Sequence, residues 1–160
     1  MTTAYLALGA NLGDRQEAIA RALAALAAAG VGVAARSPLY ETDPVAPDPQ
    51  PLYLNAAARV ETALSARALL ATCLDVERAL GRVRPTGQPV AARIIDIDLL
   101  LYDDRVINEP DLVVPHPRLL ERPFVRIPLA DVAAPGLVHP LTRDPLDRAP
   151  PHPSVRPTNL

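Results

Sequence analysis

The stretch Arg93-Ile94-Ile95-Asp96-Ile97-Asp98-Leu99-Leu100-Leu101 carries the strongest strand signal in the chain. We read a strand from Arg93 to Tyr102. Extended backbone sends alternate side chains to opposite faces, so Asp96 and Asp98 share a face, with Cα atoms about 6.5–7 Å apart. The apolar neighbours imply a largely buried strand, on which two like charges are costly unless something neutralises them. A hard divalent cation such as Mg²⁺ is one solution, because it takes oxygen ligands and keeps positions for phosphate and water. Arginine salt bridges or an exposed sheet face are others, and a bare Asp-x-Asp does not decide among them.

Upstream, Arg82 to Ala92 holds Pro85, Gly87 and Pro89 and is predicted to be an irregular loop. It carries Arg82 and Arg84, and Arg93 opens the strand. Arginine matches phosphate with a bidentate fork, and carboxylates for metal plus arginines for phosphate are what phosphoryl transfer uses. Arg93 has the opposite parity to the aspartates, so it needs a bend or an end position to join them. A solvated basic loop is the alternative for Arg82 and Arg84. Before the loop, Ser65 caps a predicted helix running to Leu80, with Leu69, Leu70, Cys73, Val76 and Leu80 inward and Gly81 as its stop. Glu77 lies near the apolar face of that helix and suits either a ligand or a surface position.

Further out, Thr3 to Leu8 is predicted to be a buried strand and Arg15 to Ala29 a helix with Ile19, Leu23 and Leu26 on one face. Val31 to Glu41 reads as a second strand and Tyr53 to Thr62 as a third. Between them, residues 43–51 are too rich in proline for a regular element. Beyond the carboxylates come Val114-Pro115-His116-Pro117, a short helical stretch from Arg118 to Glu121, and one more short element from Phe124 to Val132. The order is β-α-β-β-α-β. This predicts an α+β, ferredoxin-like fold, an antiparallel sheet with its helices on one face and C-terminal additions. Residues 1–146 form the expected domain, and the Pro-rich segment 147–160 an extended or disordered tail.

Composition narrows the class. The chain has 160 residues, 49% of them hydrophobic, which suits one domain with a sizeable core. Net charge is −2 without long runs of one sign, against a general nucleic-acid or membrane-surface binder. All 16 basic residues are arginine, so no lysine can bind phosphate. A single cysteine, Cys73, permits no internal disulfide. With no signal peptide or membrane span in evidence, the expectation is a cytoplasmic, monomeric protein acting on small molecules.

Seven segments together resemble the 6-hydroxymethyl-7,8-dihydropterin pyrophosphokinase family. They are residues 7–13, 40–44, 53–57, 77–84, 93–100, 114–118 and 121–125, in the family's order. The resemblance implies transfer of pyrophosphate from ATP to the substrate hydroxymethyl group, with AMP leaving, as a step of folate biosynthesis. It implies that Asp96 and Asp98 bridge two Mg²⁺ ions and that Arg82, Arg84 and Arg93 contact phosphate. Glu77, His116 and Arg122 match nucleotide-side positions. Asn55 and the backbone around Thr42, Pro44 and Val45 match the pterin's hydrogen-bonding groups, with Tyr53 and Phe124 as the aromatic walls. The chain departs from the family in lacking the Trp that commonly precedes the aspartates, and Pro117 replaces an aromatic often found there. Two other classes compete: another metal-dependent nucleotidyl or phosphoryl transferase on the same sheet, or a non-catalytic ligand-binding module of that fold. The first needs no flat-ring pocket, and the second consumes no ATP.

Overall fold

A computed structural model of the chain describes residues 1–11, 13–43, 52–81 and 95–158. Its elements in order are β1 (Thr2–Ala10), α1 (Arg15–Ala28), β2 (Gly32–Arg36), β3 (Tyr40–Thr42), β4 (Tyr53–Thr62), α2 (Ala66–Gly81) and β5 (Asp96–Tyr102). Then follow β6 (Ile107–Glu109), β7 (Leu112–Val114), a 3₁₀ turn (Leu119–Glu121), α3 (Pro123–Val132) and β8 (Val155–Pro157). Strands β5-β1-β4-β3-β8 are neighbours in that order, with β2 also on β4, and every pairing is antiparallel.

Local signals set the element ends. Asp14 caps α1, its carboxylate accepting from the Glu17 amide at 3.0 Å. Gly30 takes a left-handed φ of 90° just past the end of α1, and the Val31 amide reaches back to the Leu26 carbonyl at 2.9 Å. Ser65 caps α2 through the Ala68 amide at 3.1 Å.

The alternation of β1 and β4 builds two apolar layers. Leu6, Leu8, Leu54, Ala56, Ala58 and Val60 pack under α1 and α2, with Ile19, Leu26, Leu69 and Cys73. Tyr5, Ala57 and Leu101 face the other way, onto Leu119, Val125, Leu129 and Val132. The two helices of the expected core, α1 and α2, share one face of the sheet, and α3, a C-terminal addition, covers the other. The residues from Phe124 to Val132 form the helix that does so.

The expected single strand from Val31 to Glu41 is broken. Four steps from Arg36 to Tyr40 face three from Ala58 to Asn55, which leaves one residue extra. Pro38 has no amide to donate, and Ser37 absorbs the irregularity. Its backbone N–H donates to the Ala57 carbonyl at 2.9 Å, and its hydroxyl accepts from the Ala57 N–H at 2.9 Å. The segment from Asp147 also returns to the sheet. Val155–Pro157 pairs with Tyr40–Thr42 as β8, Val155 is buried, and Arg156 bridges Asp43 at 2.9 Å.

Candidate functional site

The sheet face away from α1 and α2 carries the site. Ile95, Ile97 and Leu99 turn into the α1/α2 core, so Asp96 and Asp98 project from the opposite face, both half-buried. Across the sheet, Asp96 is opposite Gly9, Gly9 is opposite Asn55, and Asn55 is opposite Tyr40. Asp98 lies one pleat along, opposite Ala7. Register thus places the paired carboxylates one strand away from Asn55, with only a glycine between.

Asn55 is 8% exposed, and its amide nitrogen donates to the Thr42 hydroxyl at 2.5 Å. Thr42 is opposite Tyr53, which lies half-buried on the same face as Asn55. Three of the residues expected to hold a flat ring are therefore gathered on β3 and β4. Phe124 stands on the same side of the sheet, in the first turn of α3, with the Arg122 guanidinium 5.6 Å from its ring centroid.

His116 follows the cis Val114–Pro115 peptide, and its amide donates to the Leu100 carbonyl at 2.9 Å. That bond sets the imidazole beside β5, where it feels the charges of Asp98, Arg122 and Arg118. Burial pushes its pKa below the usual imidazole value, Asp98 opposes that, and the arginines add to it. Its Nδ1 accepts from the Arg118 amide at 3.2 Å, which leaves Nε2 as the proton-bearing nitrogen of the neutral ring.

Glu77 Oε2 accepts from the Ile97 amide at 2.8 Å, tying α2 to edge strand β5 between the two aspartates. Residues Arg82, Arg84, Arg93, Pro44 and Val45 lie outside the described residues. Among the described residues no group of three or more His, Cys, Asp and Glu forms a metal cage. A two-carboxylate set fits Mg²⁺, which binds through one or two carboxylates and takes water and substrate phosphate for the rest.

Sequence reasoning missed Tyr40, Gly9 and the Asp43–Arg156 pair. Tyr40 donates to Asp131 on α3 at 2.5 Å; its burial and that carboxylate raise its pKa to about 12. Only pairing partners identify these residues, and partners distant in sequence leave no local signature.

Comparison with known proteins adds the chemistry's context. The 7,8-dihydro-6-hydroxymethylpterin-pyrophosphokinase family profile matches residues 5–134. A 2-amino-4-hydroxy-6-hydroxymethyldihydropteridine pyrophosphokinase of Methylorubrum extorquens is 45% identical over 139 residues, which cover 86% of each chain. The Bacillus subtilis protein of that name is 42% identical over 81% of this chain and 77% of its own. The fission yeast folic acid synthesis protein fol1 is 42% identical, and the match covers 91% of this chain but 20% of that longer protein. A crystal structure of Plasmodium falciparum HPPK-DHPS superposes with a TM-score of 0.69 at 15% identity, over 91% of this chain and 43% of that one. At that identity the likeness concerns the fold.

Proposed function

We propose the reaction from a fixed premise: this chain belongs to the 7,8-dihydro-6-hydroxymethylpterin-pyrophosphokinase family. It transfers pyrophosphate from ATP to the hydroxymethyl group of 6-hydroxymethyl-7,8-dihydropterin in folate synthesis. The substrate oxygen forms a bond to the β-phosphorus, the bridge between the α- and β-phosphates breaks, AMP leaves, and the hydroxyl proton passes to solvent. Such transfers depend on positioning and charge neutralisation more than on covalent participation by the protein.

The observation that carries the site assignment is the row Asp96–Gly9–Asn55, with Asp98 one pleat along. In this reading Asp96 and Asp98 hold Mg²⁺ at the phosphate end. Bound there, Mg²⁺ supplies Lewis-acid charge that offsets the negative charge of the phosphates. Asn55, steadied by Thr42, binds the pterin's polar edge, and Tyr53 and Phe124 flank its ring, with Pro44 and Val45 adding backbone contacts. His116 donates from Nε2 to a phosphate oxygen. Arg122 pairs with phosphate while its flat face stays against Phe124. Arg82, Arg84 and Arg93 supply the remaining phosphate contacts. Glu77 shapes the nucleotide side by holding the Ile97 amide, a positioning role more than a ligand contact.

The antiparallel order β5-β1-β4-β3 with α1 and α2 on one face supports a ferredoxin-like core, to which α3 and β8 are additions. We take residues 1–146 as the catalytic unit and 147–160 as a C-terminal addition, whose Val155–Pro157 pairs with the sheet edge at β3. The active form is read as a monomer. ATP consumption fits the cytoplasm.

Two ATP analogues test the bond that breaks. With a methylene bridge between the α- and β-phosphates, no product forms. With the methylene between the β- and γ-phosphates, turnover continues and AMP is released. The reverse pattern would mean transfer of the terminal phosphate alone.

A further inference from the structure

We infer that Gly9 is a positioning residue for pterin binding, acting through Asn55; this deepens the proposed function and rests on it. Glycine at this position is not explained by backbone geometry. It lies within β1, paired on both sides to β4 and β5, and it is absent from the positions with left-handed φ, which are Gly13, Gly30 and Gly136 among the described glycines. A glycine inside a paired strand weakens it, because it has no side chain to pack and more freedom to lose. Its presence therefore calls for a steric reason, and the neighbouring strand supplies one.

A Cβ built on Gly9 would lie 2.9 Å from Asn55 Oδ1 and 3.9 Å from Asn55 Cγ. The carboxamide oxygen thus occupies the space that any other residue at position 9 would fill. It cannot simply swing aside. Asn55 is 8% exposed, and its nitrogen is held by the Thr42 hydroxyl, itself on a residue 2% exposed. Two constraints fix the group: Thr42 holds the nitrogen end, and the bare Cα of Gly9 admits the oxygen end. The result is one orientation of a donor–acceptor pair, which suits a flat heterocycle whose edge carries both amide donors and a carbonyl acceptor. Along the sheet, the same bare Cα is what separates Asn55 from Asp96.

The test is Gly9→Ala, with KM measured separately for the pterin and for Mg-ATP. The expected result is a pterin KM raised about tenfold or more, the cost of misplacing one hydrogen-bonding pair, with the ATP KM unchanged within about twofold. Asn55→Ala and the Gly9→Ala/Asn55→Ala pair complete the cycle. If Gly9 acts through Asn55, the pair shows the same pterin KM as Asn55→Ala alone. That comparison still reports if Gly9→Ala by itself folds poorly, because removing the carboxamide removes the clash. A wild-type pterin KM in folded Gly9→Ala overturns the inference. So does an equal rise in both KM values, or a further rise on adding Gly9→Ala to Asn55→Ala. Wild-type protein that does not couple ATP to the pterin would overturn the proposed function instead, whatever Gly9 does.

Discussion

Asp96 and Asp98 are each flanked by core residues and half-buried, so each carboxylate is partly stripped of water. Replacing either with Asn should lower turnover more than about 100-fold at saturating Mg²⁺, since one cation ligand is lost. Melting temperature should hold or rise, because one of two repelling charges is gone. Turnover near wild type, measured as AMP release, would remove them from the metal site. His139 makes a separate prediction. It is 5% exposed, and its Nδ1 accepts from the amides of Leu141 and Thr142, both at 3.2 Å. Burial lowers its pKa from the ordinary 6.5, against a smaller opposing effect of Asp144. The unfolded chain therefore binds more protons than the folded one just below pH 6.5, and stability falls as pH drops through that value. His116 is displaced the same way and adds to the slope. In His139→Asn, whose carboxamide oxygen can take over the acceptor role, the fall in melting temperature between about pH 7.5 and 5.5 should shrink but not vanish. An unchanged slope would show that His139 is not the titrating group.

At the scale of elements, runs of strand-forming residues marked β1, β4 and β5, and apolar spacing with the cap at Ser65 marked α1 and α2. Those signals lie within a few residues of one another, so the sequence displays them directly. The parts that were not legible depend on pairing. Nothing local says that the strand after Val31 breaks at Ser37-Pro38, because the extra residue is defined only against β4. Nothing local says that Val155–Pro157 finds an edge at β3, since a three-residue strand containing proline looks like a tail. That strand matters for the site, because β3 carries Thr42, the partner of Asn55. Deleting residues 147–160 is expected from composition to leave catalysis nearly unchanged; the pairing of β8 with β3 predicts a measurable effect even for the shorter deletion of 153–160. Burial of Val155 contributes about 1.5 kcal/mol, so melting temperature should fall by about 3–6 °C. The pterin KM should rise with little change for ATP, because Thr42 and Asp43 lose their backbone partners. Arg156→Ala alone should have a small effect, since its pair with Asp43 is exposed and screened by salt. A truncated protein with wild-type stability and KM values would show that β8 is ornamental. Glu77→Gln offers a milder probe: the amide oxygen still accepts from Ile97, so the fold should hold, and any loss of turnover reports on its charge.

Over the whole molecule, the sheet is the organising device. One face is committed to the core under α1 and α2. On the other face α3 covers one part, and the row through Asp96, Gly9 and Asn55 occupies another. This division explains how Gly9, Thr42, Asn55 and Asp96, far apart in sequence, come to one face: antiparallel neighbours bring distant segments into register. It also explains the limits of the sequence alone, which supplies the alternation that puts Asp96 and Asp98 on one face but not which residue lies across from them. ATP gives up its two terminal phosphates together, and phosphorus NMR of the full chain with Mg-ATP and 6-hydroxymethyl-7,8-dihydropterin reads that transfer from both products. AMP and a diphosphorylated pterin should accumulate in equal amounts; ADP with a monophosphorylated pterin would mean that only the terminal phosphate moves.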